Sequence, residues 1–143
     1  MKYRIEYHRG AKSIVNEPNL KIDYEDILSA LSEIEESQLL DYFLTQKKEE
    51  KAEGKKNYRK SISDALNFYI RENLEARRWK KEPKIFKNPD YKASAWRLDF
   101  AKNDICLEVA FNHKEAVPHN MLKAVLSTEG NDMLEKEYIT QIG

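Results

Sequence analysis

The 143-residue chain has one cysteine, four glycines and four prolines, no surplus of either charge and no long apolar run. Each shortage excludes something. A lone thiol, Cys106, closes no intrachain disulfide, so the chain is not a cystine-stapled scaffold; one cysteine suits a reducing cytoplasm. No stretch approaches the ~18 apolar residues of a membrane span. The start, Met1-Lys2-Tyr3-Arg4-Ile5, lacks the apolar core of a secretory signal. The few glycines form no phosphate-cradling loop, and no Ser/His/Asp arrangement is present to carry acyl chemistry. Twenty-five basic residues balance 25 acidic ones, which excludes a simple polycationic coat for nucleic acid.

What the chain does have is charge, on 35% of its residues, and that charge is segregated. Residues 23–36 are acidic, whereas residues 47–60 and 77–87 are rich in Lys and Arg. Segregation of this kind leaves room for acids that hold a metal and bases that hold phosphate in different places. The length fits one domain over residues 1–143.

Periodicity predicts the elements. Residues 2–8 alternate, with Tyr3, Ile5 and Tyr7 on one side, and read as a strand ended by Gly10. Pro18 marks a loop, and Asp23 is placed to cap one amphipathic helix reaching about residue 46. The polar stretch 47–60 reads as a surface loop or frayed helix end. Ser61 or Ser63 caps a second helix with a stripe of Ile62, Leu66, Tyr69, Ile70 and Leu74, ending near Arg77. Residues 79–86 are extended. Residues 94–100 and 105–111 then alternate about the turn Lys102-Asn103-Asp104, which predicts an antiparallel hairpin. Trp79 and Trp96 belong to the core. A last helix starts near Pro118 with Met121, Leu122, Val125 and Leu126 inward.

The hairpin carries the chemistry. Asp99 ends one strand, and Glu108 lies nine residues later on its neighbour, both on the minority polar face of apolar strands. Two acids held close repel one another and lose solvation unless a cation sits between them. Mg²⁺ answers that need, because it takes one or two carboxylates with water and phosphate oxygens, lowers the pKa of a bound water and offsets charge on a phosphodiester.

The run Leu98-Asp99-Phe100-Ala101-Lys102-Asn103-Asp104-Ile105-Cys106-Leu107-Glu108-Val109-Ala110-Phe111 resembles the active-site hairpin of the BglII/BstYI group of type II restriction endonucleases. Segments Asp64-Ala65-Leu66-Asn67 and Leu74-Glu75-Ala76-Arg77-Arg78-Trp79 are similar to the helix and Trp-bearing strand before that hairpin, and residues 120–127 to the helix after it. The resemblance implies an α/β PD-(D/E)xK core, a central mixed sheet flanked by helices. It also implies a homodimer that cuts double-stranded DNA with Mg²⁺, for which Mn²⁺ substitutes. Asp99 and Glu108 are then catalytic and metal-binding, and the main-chain carbonyl of Val109 completes the protein's share of ligands. Asn112, His113 and Lys114 fall where the group contacts DNA. Glu36 is a candidate supporting acid from the first helix.

Three departures shape the reading. Leu98 replaces the usual Pro. Ala110 stands where the group carries a Lys, Gln or Glu that orients or activates the attacking water, which an alanine cannot do. His113, Lys114 and Lys102 are the nearest replacements. The chain also stops at Gly143, before further strands that the named members carry, as a minimal or C-terminally truncated version would. The alternatives are a DNA-binding protein on the same fold without turnover, and a nuclease of repair or RNA processing.

Overall fold

In the computed structural model the described residues are 1–55, 61–85, 96–111 and, from a later helical segment, Asn120, Leu122, Lys123 and Leu126. Four helices come first: α1 (Ala11–Ile14), α2 (Pro18–Ser32), α3 (Glu36–Ala52) and α4 (Ser63–Ala76). Three short strands follow: β1 (Lys80–Lys81), β2 (Phe100–Lys102) and β3 (Ile105–Leu107).

The helix expected over residues 23–46 is two helices with earlier and later ends. Pro18 opens α2 rather than marking a loop, since at the first helical turn its missing N–H leaves no bond unmade. Asp23 is therefore not a cap but a buried residue in the middle of α2. The chain breaks at Glu33–Glu35 and restarts where the Glu35 N–H donates to the Gln38 side chain at 3.1 Å. Ile34, fully buried in this break, plugs the core between the helices, which an unbroken helix would not allow. From there α3 runs on to Ala52, through half of the expected loop.

Residues 2–8 join no ladder among the described residues and so are not the expected strand. Their alternation is used differently. The Tyr3 hydroxyl donates to the Leu28 carbonyl at 3.2 Å, and the Tyr7 and Tyr24 hydroxyls share a 2.9 Å hydrogen bond. The chain's amino terminus donates to the carbonyls of Ser32 and Ile34. The segment is thus a strap along α2. Burial, then the bond to Tyr7, pushes the Tyr24 phenol up to about 12.

Helix α4 starts at Ser63, but neither serine caps it; their hydroxyls bond each other at 2.7 Å. It buries Ala65, Ile70 and Leu74, with Leu66 and Tyr69 packed partly buried against the same core, and of the expected stripe leaves Ile62 exposed. It ends on Arg77, whose guanidinium bonds the Asn73 carbonyl and the Glu33 carboxylate. Arg78, in the left-handed region at φ 65°, then turns the chain to the buried Trp79 and β1.

The sheet has the order β1-β2-β3 and is antiparallel throughout. Among the described residues the ladder is shorter than the alternation predicts: β2 begins at Phe100, preceded by an isolated Lys84–Arg97 bridge, β3 ends at Leu107, and residues 94 and 95 of the expected strand lie outside the described residues. Asn103, at φ 47°, supplies the left-handed residue of a two-residue turn. Helix α4 packs against α2, α3 and β1, and α2 also meets β3. Leu74, Trp79, Phe100 and Ile105 join Leu20, Ala30 and Ile34 in one core. This is an α/β arrangement of helices packed against a small antiparallel sheet. Among the described residues no helix is long and apolar enough to cross a membrane.

Candidate active site

The hairpin register decides where the acids meet. Phe100 pairs with Leu107, Ala101 with Cys106 and Lys102 with Ile105, so Asp99 and Glu108 are the next opposed positions past the ladder's open end. Like charges directly opposite on a sheet destabilise it. Two contacts offset this. The Val109 N–H donates to Asp99 Oδ2 at 2.6 Å, and the Lys123 ammonium lies 3.3 Å from both carboxylate oxygens of Glu108.

They do not offset it completely. Burial, followed by the Asp99 charge, raises the Glu108 carboxyl from 4.5 to about 7 against the opposing pull of Lys123. The source of the burial is visible. Glu108 borders an apolar cavity of about 230 Å³ whose walls include Ile27, Leu31, Ile70, Leu107 and Ala110. Asp99 faces a different space, a cavity of about 370 Å³ that also receives Asp64, Asn67 and Arg71 from α4, Lys81 from β1 and Glu82 just after it. The acid pair thus stands between an apolar wall and a polar opening that carries cations.

Such a pair suits a hard divalent ion. Among the described residues no group of three or more His, Cys, Asp or Glu side chains gathers. The Val109 carbonyl, on the residue whose N–H fixes Asp99, is the adjoining main-chain oxygen.

The other expected residues are placed differently. Lys102 cannot replace the group missing at Ala110. It sits at the far end of the hairpin, 3.1 Å from Asp23 and bonded to Asp26 at 2.5 Å. Burial alone would lower its pKa, but the bonds to Asp26 and Asp23 outweigh burial and raise it. Asn103 donates to the same Asp23 at 2.6 Å, so the turn is locked onto α2. Glu36 is the exposed first residue of α3 and is not among the residues lining the Asp99 cavity. Asn112, His113 and Lys114 lie outside the described residues.

Lys123 is the residue that sequence reading missed. The last helix was expected to turn Leu122 inward, yet Leu122 is exposed and Lys123 buried. Leu126, one turn beyond Lys123, packs on Ile85 and Leu98. The available clue was the i, i+3 spacing of Lys123 and Leu126, which puts a cation on an inward face.

The family model of Restriction endonuclease BglII/BglIII matches residues 3–133, nearly the whole chain. No curated protein and no solved structure matches it.

Proposed function

The chain belongs to the BglII/BglIII restriction endonuclease family, and from that premise we propose that it is a Mg²⁺-dependent type II endonuclease hydrolysing double-stranded DNA at the Asp99–Glu108 pair. The observation that carries this is the hairpin register, which sets the two acids opposite one another at the mouth of a polar cavity. Asp99, Glu108 and the Val109 carbonyl would hold Mg²⁺, or Mn²⁺ in its place. When bound, such an ion lowers the pKa of water and offsets charge on the phosphate.

The remaining steps fall to the chain. Val109 fixes the Asp99 carboxylate through its N–H, so this ligand is oriented before any ion arrives. Lys81 and Arg71, on the cavity wall, are placed to take phosphate oxygens. Water attacks phosphorus in line. Its oxygen forms the new P–O bond, the bond to the neighbouring sugar oxygen breaks, and that oxygen takes up a proton as the water loses one. Two copies, one for each strand, fit a duplex substrate with two backbones.

A plasmid assay tests the reading. Discrete linear products with Mg²⁺, abolished by Glu108→Ala, are expected. A second reading, a DNA-binding protein without turnover, is favoured by Ala110, which offers no polar atom to water. It predicts a gel shift on duplex DNA with no cleavage at any Mg²⁺ or Mn²⁺ concentration. Products mapping to RNA or to damaged DNA would instead indicate a repair or RNA-processing nuclease.

A further inference from the structure

Lys123 is only 9% exposed, and its ammonium meets both oxygens of Glu108 at 3.3 Å. A buried ammonium gives up hydration that an apolar side chain of similar volume would never need, so its place is decided by the acid it meets. Leu126, three residues on and also helical, packs on Ile85 and Leu98 and so anchors the segment on the chain that leads to Asp99. The lysine is thus delivered to the acid pair by an element fixed to the same sheet.

The position two residues after Glu108 is empty of chemistry. Ala110 borders the apolar cavity. Lys102 is held by Asp23 and Asp26 at the other end of the hairpin. Among the described residues, Lys123 is the cation in hydrogen-bond contact with Glu108.

We propose that Lys123 is a positioning residue for DNA cleavage, holding Glu108 aligned against Asp99 from the last helix because Ala110 can do nothing from the strand. This rests on the nuclease reading above. Lys123 acts through Glu108, and the helix that carries it becomes part of the catalytic apparatus rather than a cover for the sheet.

The test transposes the lysine. Lys123→Met keeps the length and apolar stem; it should lower kcat for plasmid cleavage by roughly 100-fold or more, with KM and duplex binding unchanged. Adding Ala110→Lys to Lys123→Met should restore much of the loss, which no purely structural role explains. A readout without turnover is available from NMR of the lysine ε-methylene groups. The signal missing in Lys123→Met should shift when Mg²⁺ is added to the wild type and stay fixed in Glu108→Gln. If Lys123→Met does not fold, Lys123→Gln takes its place.

The proposal is overturned by a folded Lys123→Met that cuts at the wild-type rate. It is equally overturned by a double variant no better than the single one, or by a Lys123 signal blind to Mg²⁺. A wild type that cuts no DNA overturns the nuclease reading itself, whereas equal cutting by wild type and Lys123→Met overturns this inference alone.

Discussion

The N–H of Val109 donates to the Asp99 carboxylate at 2.6 Å, so the residue that follows one acid holds the other. The two acids are therefore coupled by the backbone as well as by their charges.

That coupling predicts how Asp99→Asn behaves. The amide oxygen of Asn can still accept from Val109, so the hairpin should keep its shape and the melting temperature should not fall. Removing the Asp99 charge removes the second-largest cause of Glu108's raised pKa, and the Glu108 carboxyl should titrate closer to 4.5 by carboxyl NMR. Cleavage should drop by about 10²-fold or more, because a ligand charge is lost. A variant that cuts normally would remove Asp99 from the site.

The Glu108 shift sets a pH dependence. Between 4.5 and about 7 the folded chain keeps a proton that the unfolded chain has released. Stability should therefore fall as pH rises through that window and level off above it, and Glu108→Gln should abolish the fall. Mg²⁺ binding near pH 6 should release a proton, since the ion needs the carboxylate; calorimetry in buffers of different ionisation enthalpy reads this directly. Proton release that persists unchanged at pH 9 would contradict it.

The hairpin that brings the two acids together was legible from alternation, while their reading as a site rested on the resemblance. The apolar faces of the two strands fixed which side Asp99 and Glu108 share, and Asn103 marked the turn that sets their register. The helices were harder. Nothing local in residues 33–35 announces a break, because the break exists to seat Ile34 among residues far away in the chain. Residues 2–8 carry a genuine period of two, yet a strand needs a neighbour, and periodicity does not say whether one is present. Lys123 was missed for a related reason: a lysine beside a leucine stripe reads as solvated until its long-range partner is known.

Lys102→Met should destabilise the fold by roughly 2–4 kcal/mol, since it leaves Asp23 buried with Asn103 as its remaining turn partner. Pairing Lys102→Met with Asp23→Asn should recover part of the loss in denaturant titrations. The raised Lys102 pKa has the matching sign. Its stabilisation is present below the ordinary lysine range and disappears only as pH climbs past the folded value. A wild-type midpoint for Lys102→Met would show the lock to be idle.

Lys81, exposed beside the Asp99 cavity, should act on the DNA backbone without reading sequence. Lys81→Ala should weaken binding to cognate and unrelated duplexes alike and reduce the slope of log affinity against log salt by about 1. Filter binding at several salt concentrations decides this. A loss confined to one sequence would assign Lys81 to base recognition.

The lock between the hairpin turn and α2 also has a place in time. Asp23 leaves the ribosome 80 residues ahead of Asn103. At ~5–20 residues per second that is a wait of about 4–16 s during synthesis. Over that interval α2 carries an acid with neither of its turn partners, so it gains by keeping this face in water. The hairpin that carries Asp99 and Glu108 is the one that brings Asp23 its turn partners, so the lock on α2 and the acid pair are completed by the same late segment.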